Sequence, residues 1–156
     1  MFILMQLVLL IHLLSYSIFV SQSFSYIISL TNVQQNMDAK EYILFRKQTD
    51  INFRKKYKLV IYATLVAGVV QIIIAAIIGN YIILISGLIA TAALAIDIRI
   101  ALKRNLPIND IINKWTIDNY PTDWKQYRNK WFYYYNQRKV LSIAGFICLA
   151  TGIVFT

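Results

Sequence analysis

Two residue types that build many chemical sites are almost missing from this chain. It holds one cysteine, Cys148, and one histidine, His12. A lone cysteine excludes an intrachain disulfide and a C-x-x-C redox pair, and with them a four-helix protein that cycles a dithiol. A lone histidine excludes a His-rich metal site or a bis-histidine haem built from one chain. No GxGxxG, P-loop, HExxH or GxSxG pattern occurs, so the sequence predicts neither a metal nor a bound cofactor. Charge is scarce too: 15% of the 156 residues, where a soluble domain carries about a quarter. Proline occurs only twice, at Pro107 and Pro121.

Apolar sequence fills the space. Hydrophobic residues make up 58% of the chain, and three runs approach or exceed the roughly 18 residues that suggest a transmembrane helix. They are Leu59–Gly79, Tyr81–Ile96 (continuing to Arg99) and Val140–Thr156. A fourth, Met1–Leu30, has no charge but many hydroxyls. It lacks the basic flank and A-x-A site of a signal peptide and outruns the usual apolar core, so it reads as the first membrane helix. The expected class is all-α. It is a four-transmembrane-helix antiparallel bundle with amphipathic cytoplasmic helical extensions, one integral membrane domain over 1–156. The spans fall at about 4–30, 59–79, 81–101 and 138–156, with cytoplasmic loops at 31–58 and 102–137.

The charges orient the bundle. Of 16 basic residues, seven lie between the first and second spans and nine around the loop between the third and fourth. The turn between spans two and three is only Gly79-Asn80. Four spans put both basic loops on one side, and basic loops stay cytoplasmic. Both termini then face outward from a multi-pass protein of the inner (plasma) membrane. The net charge of +9 is thereby accounted for without nucleic acid; its expected partners are the lipid bilayer and its anionic head groups.

Local signals add detail. Ser17, Ser21, Ser25 and Ser29 recur every four residues, a slowly turning stripe expected to face other helices, either lining a polar cavity or packed closely with its hydroxyls bonded back to the helix backbone. Asp38 and Glu41 have capping-box spacing and predict a helix start. Ala63/Ala67, Gly87/Thr91/Ala95 and Gly145/Gly152 are small residues at packing intervals. Asp97, at a span end, is expected to pair with Arg138 or another basic residue across the bundle, the alternative being a snorkelling, water-facing carboxylate. Pro107 is expected to end the third helix, with Asn105 in the cap or turn before it and Asn109 or Asp110 capping a short helix through Trp115. Nine aromatics fall between Trp115 and Tyr135. Trp124, Tyr127/Arg128, Trp131, Tyr134/Tyr135 and Arg138 share one helix face. That face reads either as an aromatic belt at the lipid head groups or as the wall of a pocket for a planar substrate.

The span arrangement, "NLPIN" after the third helix, "DWKQYRNKWFYYYNQRKVLS" before the fourth and "FVSQSFSYI" in the first together resemble the anthrone-oxygenase-like family of small four-helix membrane proteins. The resemblance implies an oxygenase that converts an anthrone to an anthraquinone with O₂ and no evident cofactor. Asn105, Pro107, Asn109, Trp131 and Arg138 carry it by position. It implies substrate contacts from Asn105, Asn109 and Trp131, to which the aromatic face adds Trp124 and Arg128. A carbanion route then needs Arg138 to stabilise the anion and Tyr135 or His12 to take a proton. One departure stands out: four residues after Trp131 the family often has His or Asn, and this chain has Tyr135. The alternative reading is a non-catalytic accessory subunit bound to other membrane-protein subunits of a larger complex. A carrier or channel ranks last, for want of mid-span charges, inverted repeats and broken helices.

Overall fold

The computed structural model describes residues 2–156. Four helical rods run up, down, up and down. The first joins α1 (Phe2–Ser25) through a π turn (Tyr26–Leu30) to α2 (Thr31–Asn36). The second is α3 (Ala39–Ile78). The third joins α4 (Tyr81–Ile100) through a second π turn (Ala101–Asn105) to α5 (Leu106–Asn113), and the fourth is α6 (Trp124–Val154). All four rods contain a window long and apolar enough to cross a membrane. The protein is thus an all-α, multi-pass membrane protein.

The capping box forms as the sequence predicts: Glu41 N donates to Asp38 Oδ1 at 2.9 Å, and Asp38 N donates to Glu41 Oε2 at 3.0 Å. From there α3 runs 40 residues without a break, about 60 Å at 1.5 Å per residue. That is twice the hydrocarbon thickness of a bilayer. The region between the first two spans is therefore mostly helix that projects beyond the membrane. Gly79 ends α3 at φ 76°, and Asn80 Oδ1 accepts from Ile83 N to start α4. A left-handed residue costs glycine nothing, which lets the hairpin turn in two residues.

The helices pack in the cyclic order α1, α3, α4, α6. Gly68, Gly87, Gly145 and Gly152 all face inward. A methyl at Gly145 would overlap the Tyr16 hydroxyl, and one at Gly152 would overlap Ser86 Oγ and Cβ. In lipid, close backbone approach takes over from the hydrophobic drive. The serine stripe departs from expectation in where it faces, but not in how its hydroxyls are bonded. Ser21, Ser25 and Ser29 face outward, and Ser17, Ser21 and Ser25 donate to carbonyls of their own helix. A hydroxyl satisfied three or four residues back has no need of another helix.

The third loop also departs from expectation. Pro107 does not end the helix; the chain continues through it into α5. Proline lacks an N–H and its ring crowds the carbonyl four residues back. The π turn relieves this by passing the next bond to a five-residue span, Leu106 N to Ala101 O. Asn105 makes no side-chain cap bond, and Asn109 and Asp110 lie inside α5 rather than at its start. The aromatics do not form a lipid belt. Trp115, Trp124, Trp131, Phe132 and Tyr135 are buried together with Tyr26, Tyr42 and Ile43 in a core at the charged end of the bundle.

Candidate functional site

One inward-facing stripe of α3 organises this end. Arg46, Asp50, Phe53, Tyr57 and Ile61 follow at steps of three or four, in register with Thr64, Gly68, Gln71 and Ala75 inside the span. Opposite stand the end of α4, the second π turn and α5. Between them lies a cavity of about 180 Å³. Asp97, Asn105 and Asn109 line it from the third rod, Trp131 and Arg138 from α6, and Gln22 from α1. Along α3 it extends from Arg46 to Ile61, roughly 22 Å, so it straddles the boundary where the apolar span begins.

Its outer end is a charged network. Arg46, only 3% exposed, donates from Nη2 to Asn109 Oδ1 at 2.8 Å and from Nη1 to Tyr26 Oη at 3.3 Å. Asn109 Nδ2 in turn donates to Asp50 Oδ1 at 2.7 Å. One amide thus couples a buried cation to a buried anion. Asp50 Oδ2 accepts from Asn113 Nδ2 and from Arg54 Nε, both at 2.8 Å. Arg54 reaches on to Asp110 at 2.6 Å and ties α3 to α5. Partial burial opposes its charge, but Asp110 and Asp50 outweigh that and raise its pKa.

The inner end is the pair expected from the sequence. Arg138 Nε and Nη2 donate to the two oxygens of Asp97 at 3.1 and 3.2 Å. A two-point Arg–carboxylate fork is geometrically specific. Between the two ends sits Trp131. The Arg46 guanidinium lies 4.0 Å from its ring centre, and Tyr135 stacks on it at 4.8 Å and 11°. Asn105 Nδ2 donates to the Trp131 carbonyl at 3.0 Å. Both π turns meet this tryptophan: Tyr26 in the first packs 5.7 Å from its ring, and Asn105 ends the second.

Three cavity-lining residues keep an unpartnered buried atom: Arg46 Nε, Asn105 Oδ1 and Trp131 Nε1. Buried polar groups are nearly always paired, and exceptions call for an explanation.

Asn105, Asn109, Trp131 and Arg138 all line this cavity. Tyr135 does not line the cavity; it lies behind Trp131. Burial, with Tyr26 beside it, pushes its phenol up against the opposing pull of Arg138, so it stays protonated at neutral pH. His12 is remote, buried in the span with Nδ1 2.6 Å from Gln71 Oε1. Trp124 and Arg128 do not line the cavity; Arg128 Nη1 donates to the carbonyls of Gln34, Gln35 and Met37 and closes the end of α2. Its guanidinium lies 4.9 Å from the Trp124 ring centre. Arg46, Asp50 and Arg54 escaped the sequence reading, which placed a helix here but used the arginines only as part of the basic charge between the first two spans. Their helical phase with the interior of the second span was the available signal. No family model, curated protein or solved structure matches the chain.

Proposed function

We propose that this membrane protein binds a lipophilic aromatic molecule in the cavity and oxidises it with O₂, as its resemblance to the anthrone-oxygenase-like family implies. It works at the cytoplasmic face of the inner (plasma) membrane, where the basic loops lie. The observation that carries this reading is the cavity itself. Buried guanidinium, carboxylate and amide groups share one chamber with apolar walls at the level where a span begins, the usual composition of a small-molecule site.

The reaction needs a base and a group that stabilises the resulting anion. Arg138 is the stabilising cation, as anticipated. The proton acceptor is Asp97 rather than Tyr135 or His12, because Asp97 lines the cavity and they do not. Both oxygens of Asp50 are occupied by three donors, whereas Asp97 answers to Arg138 alone. For anthrone, the ring methylene loses both hydrogens, one oxygen atom of O₂ becomes the new carbonyl, and the other leaves as water. An accessory subunit would use small residues to meet a partner; the four interior glycines are already spent inside this bundle.

The test is purified full-length protein with anthrone and air, followed by quinone absorbance. Arg138→Ala and Asp97→Asn are each expected to lower the rate by about a hundredfold. A wild-type rate equal to the protein-free background overturns the assignment.

A further inference from the structure

On a regular helix, Asp97 and the asparagines of the third rod would not share a wall. An α-helix turns about 100° per residue. Asn105 lies 8 residues after Asp97, and Asn109 lies 12 after it. Unbroken winding would set them about 80° and 120° round from Asp97. Yet all three line the cavity. The π turn at Ala101–Asn105 falls in this interval. It closes on the fifth residue instead of the fourth, and so takes up one residue of the chain. Counted without that residue, Asn105 and Asn109 fall about 20° to either side of Asp97. The bonds agree: Asp97 meets Arg138, Asn105 meets the Trp131 carbonyl, and Asn109 meets both Arg46 and Asp50.

The first rod repeats the pattern. Tyr26 and Gln34 are also 8 residues apart. Both are fully buried, and the π turn at Tyr26–Leu30 falls in their interval. Tyr26 Oη accepts from Arg46 and its ring packs on Trp131, while the Gln34 carbonyl accepts from Arg128. This turn reads YIISL and is followed by Thr31, so no proline attends it. Proline is therefore not what the two turns share. They share inward groups 8 residues apart on one rod. In the second turn Lys103 and Arg104 are exposed, so the surplus residue falls on the outer side.

We infer that the π turns are register devices that assemble the site. By taking up one residue, the second brings Asn105 and Asn109 round to the face of Asp97, and the first brings Gln34 round to that of Tyr26. The segment 101–105 is thus a positioning element, demanded by the spacing of the inward groups and merely compatible with Pro107. This rests on the reading of the cavity as the functional site, and adds how one rod supplies both its ends. A helix normally loses its register when one residue is deleted. Here a deletion inside the turn should give plain α-helix and leave Asp97 and Asn109, then 11 residues apart, still about 20° from each other.

The experiment uses full-length protein in lipid nanodiscs. Register is read by bridging Asp50→Cys to Asn109→Cys with a short bismaleimide, in a Cys148→Ser background. The tight hairpin anchors α4 to α3, so a register error shows in α5. With native spacing the pair should cross-link. The main variant deletes Lys103 and carries Pro107→Ala, because in plain α-helix the proline ring would crowd the carbonyl behind it. It is expected to fold and to cross-link. With Asp50 and Asn109 in place, it should oxidise anthrone within about tenfold of the wild-type rate. Pro107→Ala alone should also keep the cross-link, and an alanine inserted after Lys103 should lose it. Failure of the deletion variant to fold or to cross-link overturns the inference. So does loss of the cross-link in Pro107→Ala alone, which makes the proline the cause, and so does its survival in the insertion variant. A deletion variant that cross-links but no longer oxidises also overturns it, since the turn itself then serves the site. If the wild-type protein does not oxidise anthrone, the proposed function falls and the cross-link pattern still decides the inference.

Discussion

Arg138 donates two hydrogen bonds to Asp97 where water is scarce; the Asp97 and Arg138 side chains are 3% and 13% exposed. Removing one partner of such a pair leaves the other charge buried alone. Asp97→Ala is expected to destabilise the bundle by about 3 kcal/mol, whereas the double variant Asp97→Leu/Arg138→Met recovers most of that loss. Denaturant titration of both variants in mixed micelles checks it; equal losses would show that packing, not charge, is the cause. Tyr42 makes the opposite point. It is fully buried, its hydroxyl has no partner, and burial pushes its pKa from 10.0 up to about 12, with Arg46 the leading opposing influence. A phenol raised in the folded state stabilises fully below its unfolded pKa and loses that contribution as pH rises through the folded value. Tyr42→Phe should therefore be neutral or slightly stabilising at pH 7. It should also remove roughly 3 kcal/mol of the stability lost between about pH 10 and 12. Parallel unfolding curves at pH 8 and pH 11.5 read the difference.

The elements carry two kinds of instruction. Capping at Asp38 and the Gly79-Asn80 turn were legible because they are local: a side chain meets a backbone group three residues away, and one glycine takes a left-handed angle. The Pro107 segment was misread as a helix end because proline has two outcomes. It can stop a helix, or shift its winding when neighbouring helices hold both sides in place. Here Ile108 and Ile112 of α5 are buried in the aromatic core, and that packing favours continuation. The α4–α6 contact is equally unforgiving. A methyl at Gly152 meets Ser86 Cβ, which cannot rotate away, so Gly152→Ala should cost about 1–3 kcal/mol. Adding Ser86→Gly should restore most of it, since the substitution returns the missing space from the other side. Thermal stability of the single and double variants measures the recovery.

At the scale of the whole molecule, charge sorts the ends. The projecting half of α3 and the segment from the last turn of α4 to α6 hold the basic residues, and the hairpin at Gly79-Asn80 holds none. With positive loops retained inside, a cysteine placed by Asn80→Cys should label with an impermeant maleimide in intact cells. One placed by Asp118→Cys should label only after permeabilisation, both in a Cys148→Ser background. The reverse pattern would invert the topology. The same partition makes the site. At this end the rods bury charge by pairing it, and they do so around Trp131 with groups from five helical segments: the first π turn, α3, α4, α5 and α6.

Span number, helical class and the Asp97–Arg138 pair could be read from the sequence because apolar run length and isolated charge act through solvent alone. A bilayer of given thickness excludes charge whatever the neighbours. The asparagines and Trp131 could be named as candidates, but not what they face. The joining of Arg46, Asp50 and Asn109 was decided by tertiary structure: they lie 4 and 59 residues apart in sequence, and only the packing of α3 against α5 gives each buried charge its partner. That packing also turned Tyr135 and His12 away from the cavity, since a side chain's direction depends on the winding and neighbours of its helix.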